Sequence, residues 1–190
     1  MSDAKPEARP TLERWLPGDP GPQEQIARIL RVDHAGEYGA RRIYEGQLAV
    51  LGRGPQAGTL RQMHAQEKKH LDTFERLLQE RRVRPTALFP LWHVAGFALG
   101  AATALLGEKA AMACTQAVEE VIEQHYADQA AQLGEQESAL KATIEEFRAD
   151  ELHHRDVAVE QGAREAPAYP LLTGAIKAGS RLAIWLSQRV

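Results

Sequence analysis

The pattern Glu-x-x-His occurs twice in the chain, as Glu67-Lys-Lys-His70 and Glu151-Leu-His-His154. Each copy trails another glutamate, Glu37 or Glu119, by 30 and 32 residues respectively. On a helix, side chains three apart share a face, so each pattern offers a carboxylate and an imidazole to the same neighbour. Midway between each leading glutamate and its pattern lies a breaker run, Leu51-Gly-Arg-Gly-Pro55 and Leu133-Gly-Glu-Gln-Glu-Ser138. Two antiparallel helical hairpins would therefore hold each leading glutamate level with its Glu-x-x-His. Facing each other, they would gather four carboxylates and two imidazoles at one height, the ligand set of di-iron and di-manganese carboxylate bundles.

The bare count decides nothing. In a chain with 26 acidic residues and seven histidines, Glu-x-x-His arises by chance, and on a helix it is usually a solvated pair. The helix face is what discriminates. Strand signals are nearly absent, and the periodicity predicts four long helices. The first, Gln23 to Leu51, carries Ile26, Leu30, Asp33, Glu37, Ala40, Tyr44 and Leu48 on one stripe. The second, Pro55 to Arg82, carries Leu60, Met63, Glu67, His70, Leu71, Phe74 and Leu78. A third, Glu108 to Leu133, has Met112, Thr115, Glu119, Ile122, Tyr126 and Leu133; a fourth, Ser138 to Gly162, has Leu140, Ile144, Phe147, Glu151, His154 and Val157. In all four the glutamate stands where the apolar pattern asks for a core residue. Four unpaired carboxylates in a core would each cost several kcal/mol and repel one another, and two divalent cations would remove both penalties.

Oxygen and nitrogen donors without a thiolate favour iron or manganese over structural zinc. In this geometry Glu37 and His70 bind one ion, Glu119 and His154 the other, and Glu67 and Glu151 bridge them. Open positions would admit dioxygen, and a ferrous pair could give it two electrons for attack on an organic substrate. His153 competes with His154 by adjacency, but its i+2 spacing turns it off the face of Glu151. Beside the ligands stand Asp33, Asp150, Glu123, His125 and Tyr126. Tyr126, seven residues beyond Glu119 and on its face, could hydrogen-bond a ligand or relay an electron. His125 and Tyr126 are the candidate catalytic residues, and Glu123 is an extra carboxylate. An ordinary packing or surface role serves each of these five at least as well.

A chain of 190 residues suits one domain with a sizeable core, expected over residues 23–190, after a polar, proline-dotted tail over residues 1–22. That tail shows no signal-peptide core and no Arg-rich transit sequence. A net charge of −3 gives no field that would argue for nucleic acid. The one cysteine, Cys114, reads as a small buried residue in a reducing compartment. Residues 88–106 carry no formal charge but contain Pro90, His93, Gly96 and Gly100, so a clean bilayer span is a poor fit. This stretch must carry the chain from the second helix to the third, as in the long crossover of ferritin-like topology. The segment Pro170 to Val190 gathers Leu171, Leu172, Ala175, Ile176, Gly179, Leu182, Ala183 and Leu186 on one face. Both segments fit a protein lying on a membrane, and both fit equally well a cover over the core.

Whole blocks of the sequence resemble the demethoxyubiquinone hydroxylase family. They are Arg31-Val-Asp-His-Ala-Gly-Glu-Tyr-Gly-Ala40 with the eleven residues after it, Arg82-Val-Arg-Pro-Thr86, Pro90-Leu-Trp-His-Val-Ala-Gly-Phe-Ala-Leu-Gly100, Thr103-Ala-Leu-Leu-Gly107, Ala111-Met-Ala-Cys-Thr115, Val118-Glu-Glu120 and Ala166-Pro-Ala-Tyr169. The resemblance covers residues 27 to 190. It implies an all-α, ferritin-like four-helix bundle with a long crossover between its second and third helices and additional membrane-facing segments. It further implies two irons per chain on Glu37, Glu67, His70, Glu119, Glu151 and His154, and hydroxylation by dioxygen of a polyprenylated demethoxyubiquinol to demethylubiquinol. The expected site of action is peripheral, at the cytoplasmic side of a bacterial inner membrane. A second copy of the chain or other ubiquinone-biosynthesis proteins stand open as partners. A substrate that hardly leaves the bilayer tips the balance toward residues 88–106 and the C-terminal helix forming an apolar surface for docking. Two rival readings remain. One is a ferritin-like iron-storage or peroxide-detoxifying protein, which needs the ligands but not the apolar segments; the other is a metal-free helical interaction module.

Overall fold

The structure, a computed structural model, describes residues 20–190, so the expected tail lies outside the described residues as far as residue 19. It is all-helical, with six helices: α1 (Pro22–Leu51), α2 (Ala57–Glu80), α3 (Phe89–Leu105), α4 (Glu108–Gln132), α5 (Ser138–Glu160) and α6 (Tyr169–Ser187). The four predicted helices are α1, α2, α4 and α5, with ends shifted by no more than two residues. Two-residue shifts fall at the end of α5 and at both ends of α2, where Arg81 caps the helix and Arg82 turns the chain into the left-handed region (φ 53). Residues 88–106 and the C-terminal segment fold as α3 and α6.

Cross-links set the arrangement of the four long helices. Between α1 and α4, Tyr44 bonds Glu119 and Gln129 bonds Asp33, so rising numbers on one helix meet falling numbers on the other. Between α2 and α5 the same antiparallel sense appears in Lys69–Glu146 and Arg81–Glu137. The chain leaves α2 at the wrong end to begin α4, and α3 returns it by running parallel to α1. Its backbone rests on that of α1. A Cβ added at Gly100 would collide with the Ile43 carbonyl, one at Gly46 with the Phe97 carbonyl, and one at Gly96 would meet the Gly39 oxygen at 2.9 Å. The glycines that argue against a bilayer span thus serve close helix packing. At the start of α3, Phe89 lies against Tyr38 (ring centroids 3.8 Å apart) and His34 (5.5 Å).

This cover explains a burial pattern that the stripes do not contain. His34 and Tyr38 of α1 lie off the predicted stripe yet are buried, because Phe89 at the start of α3 packs against both; Val32 and Ala35, also off the stripe, are buried as well. In α4 every residue from Ala110 to Glu119 is buried, with α6 on one flank and α3 near its start. The core falls into two apolar groups. One is built around Leu30, Phe74, Ile122, Tyr126, Ile144 and Phe147, the other around Tyr44, Leu60, Met63, Met112 and Ala158. The polar level described next lies where the two meet.

Candidate metal centre

All six predicted ligand side chains converge in the interior, none more than 1% exposed. They form two overlapping sets, Glu37, Glu67, His70 and Glu151, and Glu67, Glu119, Glu151 and His154. Within each set one donor atom per residue lies within 4.8 Å of every other. Glu67 and Glu151 belong to both sets, as bridging positions would. Both imidazoles present Nδ1 inward. His70 Nδ1 stands 3.2 Å from Glu151 and 3.4 Å from Glu37, and His154 Nδ1 stands 3.1 Å from Glu67 and 3.5 Å from Glu151, with hydrogen-bonding geometry to none of them.

The outward nitrogens fix this orientation. His70 Nε2 lies 3.0 Å from Asp150 Oδ2, and His154 Nε2 lies 2.9 Å from Gln66 Oε1. Each acceptor draws the ring proton to Nε2 and leaves a lone pair on Nδ1 facing the cluster. Tyr126 donates to Glu37 Oε1 and Tyr44 donates to Glu119 Oε1 (2.6 Å), so each tyrosine steadies the leading glutamate of the opposite hairpin. Phe147 stacks on the His70 ring at 3.9 Å, and Tyr44 meets His154 edge-on at 6.3 Å.

Burial and mutual repulsion set the protonation of the cluster. Glu67 is pushed well above the usual carboxylate range by burial and then by Glu151 and Glu37; burial, Glu151 and Glu67 do the same to Glu119. Burial works against charge on His70 as well, but Glu151 and Glu37 override it and drive the imidazole up. Glu151 moves the other way: burial would raise it, and His154 and His70 pull it down.

Eight atoms at this level are buried and without a hydrogen-bond partner: Glu37 Oε2, Glu119 Oε2, both carboxyl oxygens of Glu67 and of Glu151, and the two Nδ1 atoms. A buried polar atom left unsatisfied costs about 1–3 kcal/mol, so a core with eight converging on one place calls for something that binds them all. Metal cations meet that demand. The donor set, carboxylate oxygen with imidazole nitrogen and no sulfur, suits iron or manganese.

The other candidates divide. Tyr126, Asp150 and Asp33 border the centre; the buried Asp33 accepts from Gln129 at 2.6 Å. His125 sits one bond further out, taking a hydrogen bond from Gln129 at 2.8 Å. Glu123 is turned away into an ion pair with Arg148 (2.6 Å) and contributes no carboxylate to either set. His153 is exposed, as its spacing requires. The sequence reading missed Gln66, and it counted Tyr44 and Thr115 only as stripe residues. For Tyr44 and Thr115, though not for Gln66, the signal was a second offset, which also pairs Asp33 with Thr115. Glu119 follows Glu37 by 82 residues, and the same step pairs Tyr44 with Tyr126 and Gln47 with Gln129.

Fold and centre together define an all-helical protein whose core holds a glutamate–histidine centre able to bind metal. The profile of the ubiquinone biosynthesis protein COQ7 family matches residues 24–187, and the chain belongs to that family. It is 64% identical over 183 residues to the 3-demethoxyubiquinol 3-hydroxylase of Rhodospirillum rubrum, covering 96% of this chain and 86% of that protein. To the NADPH-dependent 3-demethoxyubiquinone 3-hydroxylase of Homo sapiens, a mitochondrial protein, it is 53% identical over 169 residues, 87% of this chain and 78% of that one. To the 5-demethoxyubiquinone hydroxylase of Saccharomyces cerevisiae it is 43% identical over 182 residues, with 87% and 78% covered.

Proposed function

We propose that this chain is a 3-demethoxyubiquinol 3-hydroxylase, which uses dioxygen to hydroxylate the ring of a prenylated demethoxyubiquinol and yields demethylubiquinol. The observation that carries this reading is the set of eight partnerless buried donor atoms, in a chain 64% identical to a protein of that name. Two iron ions are the cofactor we assign, one held by Glu37 and His70, one by Glu119 and His154, with Glu67 and Glu151 shared. Iron so held supplies the electrons and the reactive site that dioxygen needs in order to oxidise an aromatic ring. The chain's own residues supply position and exclusion: Tyr44 and Tyr126 orient the leading glutamates, and Phe74 and Phe147 keep the His70 side dry. The relatives' names favour this reading over iron storage or peroxide removal.

In the finer reading the molecule is one ferritin-like domain over residues 23–190, with α3 as its long crossover. We also assign it to a membrane surface, at the cytoplasmic face of a bacterial inner membrane. Leu91, Val94, Leu105 and Leu106 along α3, with Leu171, Leu182 and Trp185 on α6, make up seven of the nine large apolar side chains exposed among the described residues. No described helix is long and apolar enough to cross a membrane. The 17 residues of α3 rise about 25 Å against a hydrocarbon core of about 30 Å. Apolar faces of this kind suit a helix lying in the interface, where a polyprenyl tail could pass from lipid to the core.

Anaerobic iron reconstitution followed by oxygen and a demethoxyquinol analogue tests the activity. The expected outcome is two irons per chain and a product heavier by one oxygen atom. Oxygen uptake coupled to iron oxidation alone would turn the assignment toward storage. Flotation with liposomes tests the surface, and full retention in the aqueous fraction, with and without quinone, would remove it.

A further inference from the structure

The centre is built as two halves related by an internal two-fold, and the symmetry fails on one side only. Seven positions in each half correspond: Asp33 with Thr115, Glu37 with Glu119, Tyr44 with Tyr126, Gln47 with Gln129, Gln66 with Asp150, Glu67 with Glu151 and His70 with His154. The contacts correspond as well. Gln47 reaches Thr115 at 3.3 Å as Gln129 reaches Asp33 at 2.6 Å, and Gln66 bonds His154 as Asp150 bonds His70. Five pairs are chemically identical. The two that differ put an acid where the other half has a neutral group, and both acids lie beside Glu37 and His70.

Resting on the metal reading above, we propose that the two ion positions are unequal: the one bounded by Glu37 and His70 fills first and holds a divalent cation more tightly, with Asp150 as the positioning residue responsible. An imidazole whose Nε2–H donates to a carboxylate is more electron-rich at Nδ1 than one donating to an amide. Gln66 orients the His154 ring equally well but adds no charge. Asp33 acts in the same sense. It is 2% exposed, and its Oδ2 has no partner, so this side offers one more buried acceptor, whereas the corresponding Thr115 offers a hydroxyl. Lys69 on α2 is engaged first by Glu146, at 3.0 Å, and feels Asp150 only as a weaker, more distant charge. The carboxylates thus bias one of two otherwise matched positions.

Calorimetric titration of the metal-free protein with Mn2+, followed in parallel by electron paramagnetic resonance, tests the inequality without turnover. The wild type should bind in two steps differing by about tenfold or more, and one equivalent should give the spectrum of isolated ions. Asp150→Asn should weaken the first step by about 10–100-fold and merge it with the second, while Asp150→Glu restores it. Gln66→Glu, which adds a carboxylate to the neutral side, should strengthen the second step, so the test does not depend on one variant folding. A single step in the wild type, with coupled pairs already present statistically at one equivalent, would overturn the inequality and leave the metal reading standing. So would an Asp150→Asn change that weakens both steps alike or neither. Absence of any Mn2+ binding would overturn both.

Discussion

Four of the six ligands are steadied from behind, Glu37 and Glu119 by tyrosines, His70 by Asp150 and His154 by Gln66, while the two shared glutamates have no such partner. Glu67 is the extreme case: it is fully buried, shared by both donor sets, and neither oxygen has a hydrogen-bond partner. Glu67→Gln keeps its volume and removes its charge. Metal binding should then fall by more than about 100-fold, because changes one layer further out already cost about 10–100-fold. Hydroxylation should vanish, yet the metal-free variant should melt higher than the metal-free wild type, since the site no longer has to keep an acid protonated at a pH where the unfolded chain would release the proton. Thermal melts with and without Mn2+ check both signs, and a variant that melts lower in both states would contradict the account. The tyrosines work differently. Tyr126→Phe leaves Glu37 Oε1 without its donor, so metal-bound stability should drop by about 1–3 kcal/mol while the metal is retained. Tyr44→Phe should do the same through Glu119, by a similar amount if the two halves are equivalent at this position. Chemical denaturation of the loaded proteins measures both.

The four long helices and the six converging side chains were legible in the sequence because both obey a period of 3.6. A glutamate on an apolar stripe is visible as a violation, and four violations at matched heights leave few explanations. Contacts between hairpins were not legible in the same way. Tyr44 and Glu119 are 75 residues apart and Tyr126 and Glu37 are 89 apart, and no periodicity within one helix can pair them. Gln66 escaped notice because it stands off the stripe of α2 and meets His154 from the side. The placement of α3 was also invisible, since Gly46, Gly96 and Gly100 carry no side chain to pattern. That placement makes a prediction at this scale. Gly100→Val would drive a branched side chain into the Ile43 carbonyl, lifting α3 from α1 at a cost of about 1–3 kcal/mol, more if the backbone yields. The four long helices, which hold all six ligands, should keep their metal. Faster proteolysis within residues 86–107, with metal content unchanged, is the expected result. Simultaneous loss of metal would show that α3 helps to form the centre.

At the scale of the whole molecule, the centre makes stability a function of pH, and metal suppresses that dependence. Without metal, Glu67, Glu119 and Asp33 hold protons more firmly than in the unfolded chain, through burial first and neighbouring carboxylates second. His70 and His154 also do so, because the surrounding carboxylates outweigh the burial that opposes their charge. Each of these groups contributes stability that is full below its unfolded pKa, 4.5 for Glu, 3.8 for Asp and 6.5 for His, and is lost as pH climbs toward the raised folded value. His34, lowered to about 4 by burial, and His125, also lowered, act in the opposite sense, but only while pH is at or below about 6.5. Glu151 and the surface carboxylates Glu45, Glu120, Glu137 and Glu165 are lowered, so their contribution is complete above 4.5 and flat thereafter. Above neutrality the raised groups of the centre still change, joined toward pH 9 by Cys114, whose thiol burial pushes up from 9.0 to about 12, and the metal-free protein should lose stability as pH rises from about 7 to about 9. Cations displace those protons when they bind, so the loaded protein should show little of this slope and binding should release protons. The gain in Tm on adding Mn2+ should therefore widen with pH across that interval. Parallel melts of metal-free and loaded protein in buffers of matched ionic strength measure it, and a gap that stays constant or narrows would mean that protons and metal do not compete for the same side chains.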